Sequence, residues 1–298
     1  ISDRGVDMLR SAGFDVTYLP KITPQELLEK VGMYEGVVVR SRTKITKDVI
    51  AAGGRLKVIG RAGVGLDNID VEAAQRSGLE VLNTPEAPTN AVAELIIGYM
   101  ISLARGICRG DAGLKRGEWL KSEMMGRELN GKALGIIGMG RIGIRVAKLA
   151  KAFGMKILAY DVLPVKEEVL RDLEVRMVPL DMLLAESDFV TLHVPLTSET
   201  RHLIDGERLR RMKKTAYLIN ASRGGVVDEK SLQNALSAGM IAGAALDVFE
   251  VEPPASLELV KMPNVVCTPH IGAQTVEVQD VAGTLLAEKV IKAFSKLG

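Results

Sequence analysis

Cysteine, histidine and an excess of charge of either sign are all scarce in this sequence of 298 residues. The two cysteines, Cys108 and Cys267, cannot build a disulfide framework and suit a reducing compartment. The net charge of +2 does not provide the basic surface that nucleic-acid binding needs. We therefore expect no nucleic-acid partner.

Signals for a metal site, a membrane span or a targeting segment are also missing. Cys267 stands close to His270, but no second Cys/His pair completes a tetrahedral zinc set. The most apolar run, residues 91–104, is shorter than the roughly 20 residues that cross a bilayer, and it contains Glu94. The first residues show no basic segment and no cleavage site. We expect no metal, no membrane association and a cytoplasmic location.

Short β-branched runs alternate with helical stretches along the chain. Thr23 followed by Pro24 and Glu26 predicts a capped helix start, and Thr46 predicts another. Buried strands are predicted at 37–40, 58–60, 81–83, 133–137, 157–160, 189–194, 216–220, 242–246 and 265–268. This alternation is typical of α/β folds in which helices cover parallel sheets.

The clearest motif is the glycine-rich turn Gly138-Met139-Gly140-Arg141-Ile142-Gly143. It follows the predicted strand 133–137 and opens a predicted helix, which is the context that dinucleotide binding requires. The glycines permit a tight turn and the approach of a pyrophosphate to the helix start. Asp161 ends the next predicted strand, where a carboxylate bonds ribose hydroxyls and repels a 2′-phosphate. The motif therefore predicts NAD; a glycine turn without a ligand is the alternative.

Three further segments place polar residues just past predicted strands. They are Asn220-Ala221-Ser222-Arg223-Gly224-Gly225, Asp247-Val248-Phe249-Glu250-Val251-Glu252-Pro253 and Thr268-Pro269-His270-Ile271-Gly272-Ala273. Together with the glycine turn, they make the chain similar to the D-isomer-specific 2-hydroxyacid dehydrogenases over essentially its whole length. The resemblance implies two Rossmann-like parallel-sheet domains joined by crossover helices. Residues 1–86 with about 274–298 would bind substrate, and residues 87–273 would bind NAD.

The resemblance also implies a catalytic trio of Arg223, Glu252 and His270. Oxidation of an alcohol to a ketone needs a base for the hydroxyl proton, and an imidazole titrates close to neutral pH. His270 matches that base, and Glu252 matches the carboxylate that orients the ring. Arg223 matches the group that grips the substrate carboxylate and polarises its C2 oxygen. Taken singly, Glu252 and His270 are more often structural, so these roles depend on the whole series of motifs.

The same matching assigns the contacts to the cofactor. They are Val64, Gly138, Gly140, Arg141, Ile142, Gly143, Asp161, Val194, Pro195, Thr200, Ala221, Ser222, Arg223, Asp247, His270, Gly272 and Ala273. Asp247 is expected to hold the nicotinamide carboxamide. At Val64 and Val194 the family members that act on phosphoglycerate often carry Thr, so only backbone contacts are expected there.

Substrate choice is expected to depend on Arg40, Arg61 and Gly63. The two arginines follow adjacent predicted strands, where they can converge on a phosphate at the carboxyl edge of the sheet. In the family members that act on phosphoglycerate, the matching positions face the substrate's phosphate. The resemblance therefore implies D-3-phosphoglycerate as the substrate, oxidised to 3-phosphohydroxypyruvate in the first step of serine biosynthesis. Pairing of one arginine with a carboxylate such as Asp67 is the structural alternative. A glyoxylate or hydroxypyruvate reductase is the alternative enzyme.

Members of the family dimerise through the cofactor domain. A homodimer or a dimer-based tetramer is therefore expected, with the helix at 90–105 and the arm after it as the contact. A remote alternative is an NAD-sensing interaction protein like the corepressors built on this fold. Those proteins keep the trio, but they carry Pro/Ser-rich tails that this sequence does not show.

Overall fold

The computed structural model describes residues 1–296, and the chain divides into two compact units. Unit 1 comprises Ile1–Thr89 together with the C-terminal segment that starts at Ala273. Unit 2 comprises Asn90–Gly272. Each unit has its own parallel sheet and its own apolar core.

Unit 1 is built on three parallel strands in the order β1 (Gly36–Val39), β2 (Val58–Arg61) and β3 (Glu80–Asn83). Its helices are α1 (Asp3–Ser11), α2 (Pro24–Lys30), α3 (Lys47–Ala52), α4 (Val71–Arg76) and the C-terminal α12 (Val276–Phe294). Helices α1 and α12 cross at short range because Gly5 has no side chain. A Cβ on Gly5 would lie 2.7 Å from the carbonyl oxygen of Gly283.

The helix starts predicted in unit 1 are confirmed. Thr23 caps α2 with a reciprocal capping box to Glu26, and Pro24 is the first helical residue. Thr46 caps α3 by accepting a hydrogen bond from the N–H of Val49. These caps satisfy donors that the first turn of a helix leaves unpaired.

Unit 2 is built on seven parallel strands. They are β4 (Ala133–Ile137), β5 (Lys156–Tyr160), β6 (Val175–Met177), β7 (Phe189–Leu192), β8 (Tyr217–Asn220), β9 (Gly243–Leu246) and β10 (Val265–Cys267). Their order across the sheet is β10-β9-β8-β7-β4-β5-β6. Sequence analysis missed β6, because at this sheet edge only Val175 is buried. Strand β7 ends at Leu192 rather than at 194, although the N–H of His193 still donates to the carbonyl of Ile137 in β4.

Helices cover both faces of this sheet. They are α5 (Thr89–Arg105), α6 (Ile107–Lys115), α7 (Arg141–Ala152), α8 (Glu167–Asp172), α9 (Leu180–Glu186), α10 (Gly206–Arg211) and α11 (Glu229–Ser237). Alternate strand residues enter opposite cores: Ile136 packs with α5 and α7, whereas Ile137 packs with α9, α10 and α11. The predicted α/β class with parallel sheets is confirmed.

Length and apolar composition decide whether a helix among residues 1–296 could cross a bilayer. No single helix is long and apolar enough to cross a bilayer, although α5 and α6, bent by 65°, reach that length and composition as a pair.

Candidate active site and cofactor-binding turn

The strand order of unit 2 reverses between the two central neighbours β4 and β7. From β4 the chain continues to β5 and β6 on one side of the sheet, and from β7 it continues to β8, β9 and β10 on the other side. In open α/β sheets the carboxyl ends of strands at such a reversal form the crevice for ligands. The turn after β4 begins at Gly138, and the segment after β7 begins at His193. A Cβ on Gly138 would lie 2.5 Å from the carbonyl oxygen of His193. The two segments therefore lie against each other at the reversal.

The three glycines of the turn differ in what a Cβ atom at each position would contact. Gly138 has a φ of +97°, and a Cβ on Gly143 would lie 2.1 Å from the carbonyl oxygen of Gly138. Both glycines are therefore required by the protein itself. Gly140 has an ordinary φ of −73°, and a Cβ there would meet no described atom within 4 Å. The open space above Gly140 fits a ligand that approaches the backbone, as a dinucleotide pyrophosphate does.

Helix α7 begins directly after this glycine, at Arg141 and Ile142. Within the described residues no side chain caps α7, so its first N–H groups point into the crevice without a capping oxygen. Arg141 is exposed beside them. A helix start of this kind, with a cation next to it, suits phosphate groups.

Asp161 follows β5 and lies against the glycine turn. Its Oδ2 accepts the N–H of Met139 at 2.6 Å, and its Oδ1 accepts the N–H of Leu163 at 2.8 Å. An ionised carboxylate has acceptor sites beyond these two, so it still has capacity for ribose hydroxyls. Val162 and Leu163, which follow it, are apolar and exposed. This environment favours NAD over a cofactor with a 2′-phosphate.

Arg223 lies in a tight turn that follows β8. The buried side chain of Asn220 organises that turn: its Nδ2 donates to the carbonyl of Arg223 at 2.9 Å, and its Oδ1 accepts the Ser222 N–H at 3.0 Å. The guanidinium of Arg223 donates to the carbonyl of Ser222 at 2.7 Å. This role of Asn220 was not predicted from the sequence; a polar residue at the end of a buried strand was the signal that could have indicated it.

Glu252 and His270 come from two different loops and form a hydrogen bond of 2.8 Å between Oε2 and Nδ1. Glu252 lies in the loop after β9, where its Oε1 also accepts the N–H of Phe249 at 3.2 Å. Both side chains remain well exposed, at 50% for His270 and 40% for Glu252. The ring is thus anchored through Nδ1 while the pair remains open to solvent.

The Arg223 turn packs directly on the loop that carries Glu252. A Cβ on Gly224 would lie 1.9 Å from the carbonyl carbon of Phe249, so only glycine allows this contact. Tight backbone packing leaves little freedom for either loop. The structure therefore joins the Glu252–His270 pair and the Arg223 turn in one part of unit 2.

Asp247 is 1% exposed, and it contacts the loop of His270 rather than open solvent. Its Oδ1 accepts the N–H of Ile271 at 2.7 Å, and its Oδ2 accepts the N–H of Gly272 at 2.8 Å. Thr268 also donates its hydroxyl proton to Oδ1. The family resemblance implied a contact of Asp247 with the carboxamide alone. The contacts with the His270 loop were not predicted, because they join segments that are distant along the chain.

The segment after β7 contains other predicted contacts. The side chain of Thr200 donates to the carbonyl of Pro195 at 2.6 Å, which closes the loop that starts at Val194. His193 is half-buried, and its Nε2 lies 3.1 Å from Thr191 Oγ1. Burial lowers the pKa of His193 to about 3, so the ring is neutral at physiological pH.

Five predicted site residues belong to unit 1 and are described within it: Arg40, Arg61, Gly63, Val64 and Ala273. Arg61 ends β2, and Arg40 follows the neighbouring β1, so both lie at the carboxyl edge of the sheet. Arg40 lines a groove of about 860 Å³ next to β1. A Cβ on Gly63 would lie 1.9 Å from Nη1 of Arg61. The guanidinium of Arg61 therefore lies over Gly63, and convergence of the two arginines on one phosphate stays a prediction.

The loop after β2 is fixed by side chains from β3 and the residue after it. Thr84 accepts the N–H of Gly63 at 2.8 Å, and Asn83 donates to the carbonyl of Val64 at 2.6 Å. At Gly63, φ is +140°, in the region that favours glycine. The loop that carries Gly63 and Val64 is therefore held in a defined conformation.

The potential metal ligands among residues 1–296 form no metal-binding cluster. No group of three or more His, Cys, Asp or Glu side chains in this range could hold a metal ion. Burial raises the pKa of Cys267 to about 11, which keeps this thiol protonated and makes it a poor ligand.

Comparison with known proteins identifies the family. Residues 97–272 match the family described as D-isomer specific 2-hydroxyacid dehydrogenase, NAD binding domain. The D-3-phosphoglycerate dehydrogenase of Methanocaldococcus jannaschii is 49% identical over 295 residues, which cover 99% of this chain and 56% of the relative. The hydroxypyruvate reductase of Thermotoga maritima is 51% identical over 270 residues, which cover 90% of this chain and 87% of the relative.

A solved structure agrees with these relatives. D-Lactate dehydrogenase from Aquifex aeolicus, crystallised with NAD and lactic acid, matches with a TM-score of 0.85 and 34% identity over 99% of this chain and 94% of its own. The chain spans about half the length of the D-3-phosphoglycerate dehydrogenases that it matches. The family predicted from the motifs is confirmed. The chain belongs to the D-isomer specific 2-hydroxyacid dehydrogenases, and residues 97–272 are its NAD-binding domain.

Proposed function

We propose that the chain catalyses the NAD-dependent oxidation of D-3-phosphoglycerate to 3-phosphohydroxypyruvate, the first step of serine biosynthesis. Unit 2 would bind NAD, and unit 1 would bind the phosphorylated end of the substrate. The observation that carries the proposal is the 2.8 Å hydrogen bond between Glu252 and His270, formed in the same unit as the glycine turn.

His270 and Glu252 act as the acid–base pair. Because Nδ1 of His270 is bonded to Glu252, Nε2 is the nitrogen that takes the proton from the C2 hydroxyl. The Glu252 carboxylate fixes the tautomer and stabilises the imidazolium that forms. In the reverse direction the same Nε2 returns the proton to the C2 oxygen.

Arg223 binds the substrate carboxylate. Its planar guanidinium can bond both carboxylate oxygens at once, which orients C2, and its charge polarises the C2 oxygen. The turn that carries Arg223 is held by Asn220 and packs on the Glu252 loop. This support would keep the arginine and the acid–base pair in a constant relation.

NAD, when bound, supplies the acceptor for the hydride that leaves C2. Gly140 and the start of α7 would hold its pyrophosphate, and Asp161 its adenosine ribose. The open space above Gly140 supports this assignment. Val194, Pro195, Thr200, Ala221 and Ser222 follow β7 and β8 and would complete the crevice.

The proposed substrate class is inferred from the arginines of unit 1. Arg40 and Arg61 lie at the carboxyl edge of the sheet in unit 1, which suits an anionic substrate group. The identity to the Methanocaldococcus jannaschii D-3-phosphoglycerate dehydrogenase supports a phosphate. The second candidate is a hydroxypyruvate reductase, which the identity to the Thermotoga maritima enzyme favours.

Initial rates with NADH would distinguish the two candidates. We expect 3-phosphohydroxypyruvate to give a higher kcat/KM than hydroxypyruvate or glyoxylate, and Arg61→Ala to remove most of that advantage. Arg76→Ala, on the exposed surface of α4, is the matched control and should leave kcat/KM unchanged. Equal rates for phosphorylated and plain acids, or an Arg61→Ala variant as selective as wild type, would favour the reductase.

The remote alternative, an NAD-sensing interaction protein, is tested by His270→Ala. We expect this variant to bind NADH and to lose turnover, because it removes the base without altering the glycine turn. A wild-type protein that binds NADH but turns over none of the three acids would point to the interaction protein.

The oligomer is proposed from exposed apolar side chains in unit 2. Helix α5 is largely buried in its own unit, but α6 and the arm after it expose Ile107, Leu114, Trp119 and Met125. Exposed apolar patches of this kind are typical of protein contacts. We infer a homodimer, which sedimentation should show. Trp119→Ser with Met125→Ser should then shift it towards the monomer.

The compartment is proposed from cysteine chemistry. Cys108 and Cys267 are both free, and Cys108 is exposed. An exposed free thiol persists best in a reducing environment. We therefore propose a cytoplasmic location.

A further inference from the structure

A chain of hydroxyl groups connects helix α5 to the loop of His270. Tyr99, on α5, is 3% exposed, and its hydroxyl is hydrogen-bonded to Oγ1 of Thr268. The Thr268 hydroxyl donates to Oδ1 of Asp247. These three residues therefore form one continuous network beneath the catalytic loop.

The proton positions in this network follow from the acceptor at its end. The Oδ1 of Asp247 accepts the Thr268 hydroxyl and also the N–H of Ile271. Because the Thr268 hydroxyl donates its proton to Asp247, the Tyr99 hydroxyl must donate to the oxygen of Thr268. Burial raises the pKa of Tyr99, so its hydroxyl remains a donor. Each hydroxyl group in the network therefore donates to one defined acceptor.

Asp247 fixes the backbone immediately after His270. Its two oxygens accept the N–H groups of Ile271 and Gly272 at 2.7 and 2.8 Å. His270 has a φ of +54°, in the left-handed region that side chains other than glycine rarely adopt. Such a conformation persists when the surrounding contacts hold it. The two accepted N–H groups provide those contacts.

The side chain of His270 depends on this conformation. Its ring meets Glu252, which comes from another loop, at 2.8 Å. A change in φ at residue 270 would swing the ring away from that carboxylate. The buried network and the Glu252 bond therefore act on the same residue, one through the backbone and the other through the ring.

We propose that Tyr99 and Thr268 are positioning residues that, through Asp247, hold His270 in the left-handed conformation in which Nδ1 meets Glu252. The inference rests on the proposed role of His270 as the acid–base group. It adds a function for a tyrosine of the α5 core and for the threonine of the loop.

The test uses Thr268→Val, which keeps the shape but removes the hydroxyl, Thr268→Ser, which restores the hydroxyl, and Tyr99→Phe. The first readout is the NMR signal of the Nδ1 proton of His270 in the protein without cofactor or substrate. The chain has three histidines, so ¹⁵N-histidine labelling with His202→Asn and His270→Ala assigns that signal. The second readout is kcat, measured beside the dissociation constant of NADH.

We expect the Nδ1 proton signal to lose its downfield, hydrogen-bonded position in Thr268→Val and to return in Thr268→Ser. The kcat of Thr268→Val should fall by about 10- to 100-fold, because small misplacements of a catalytic group have effects of this size. Tyr99→Phe should change both readouts in the same direction, to a smaller degree. Ser187→Ala, which removes another buried hydroxyl of unit 2, is the control that should change neither.

An unchanged Nδ1 signal and an unchanged kcat in folded Thr268→Val would overturn the inference. So would a Thr268→Ser variant that stays as impaired as Thr268→Val. Failure of the proposed function would look different: wild type would turn over none of the three 2-oxo acids, whereas the Nδ1 signal would still report on the network.

Discussion

Replacing Gly140 with alanine is expected to separate cofactor binding from folding. Gly140 has a φ of −73° and a ψ of −166°, which alanine adopts without strain. The added Cβ would meet no described atom within 4 Å. Any large effect of this methyl group must therefore come from a ligand that uses the same space.

The expected change in stability is small because two contributions oppose each other. Losing a glycine stabilises a compatible site by about 0.4–1 kcal/mol through the unfolded chain. Gly140 is also the N-cap of α7, where alanine is worse than glycine by a similar amount, about 0.5–1 kcal/mol. The free energy of unfolding should therefore stay within about 1 kcal/mol of wild type.

The expected change in binding is much larger. If the pyrophosphate approaches the backbone at Gly140, the methyl group forces it away and weakens its bonds to the start of α7. We expect the dissociation constant of NADH to rise at least about tenfold, which corresponds to about 1.4 kcal/mol. Fluorescence titration with NADH gives this constant, and urea unfolding gives the stability.

Two other glycines serve as references. Gly98→Ala lies on α5 with no described atom within 4 Å of the new Cβ, so it should leave NADH binding unchanged. Gly143→Ala would place a Cβ 2.1 Å from a carbonyl oxygen and should destabilise the fold itself. A folded Gly140→Ala protein that binds NADH as tightly as wild type would refute the assignment of this turn to the pyrophosphate.

Three further predictions concern catalysis, pH and packing. Glu252→Gln should lower kcat by about 100-fold or more, because an amide does not stabilise the imidazolium. The dissociation constant of NADH should stay within about twofold of wild type. A near-normal kcat would contradict the acid–base pair. His193 has its pKa lowered to about 3, so the unfolded chain takes up the proton first as pH falls below about 6.5. Stability should drop by about 1–2 kcal/mol between pH 7 and pH 5 from this group, and urea unfolding at both values should show a smaller drop in His193→Gln; equal drops would exclude this cause. Ile136→Ala, at a fully buried site in β4, should lower the free energy of unfolding by about 2–5 kcal/mol, and a loss below about 1 kcal/mol would mean that the core closes around the cavity.

The local pattern of the sequence was sufficient for the fold class and for most strands. Alternating β-branched runs and helix caps such as Thr23 depend on only a few neighbouring residues. They can therefore be recognised without knowledge of the tertiary contacts. Strand β6 was not predicted because Val175 is its one buried residue. A strand this short shows no alternation of apolar and polar residues.

The proposed catalytic groups were likewise predicted from the sequence, as residue types that lie just past strands. Arg223, Glu252 and His270 each follow a predicted strand, and parallel strands bring such positions to one edge of a sheet. The direct bond between Glu252 and His270 was expected from the family resemblance, and the structure gives its distance of 2.8 Å.

Tertiary structure alone decided which residues support that chemistry. Tyr99 and Thr268 are 169 residues apart in the chain, yet they share a hydrogen bond beneath His270. The left-handed φ of His270 and the burial of Asp247 have no local signal either. The sequence was sufficient to propose the reacting groups, because reactivity belongs to a side chain and its nearest neighbours. The fold determined how those groups are held, because that depends on contacts between segments that meet only when the sheet has formed.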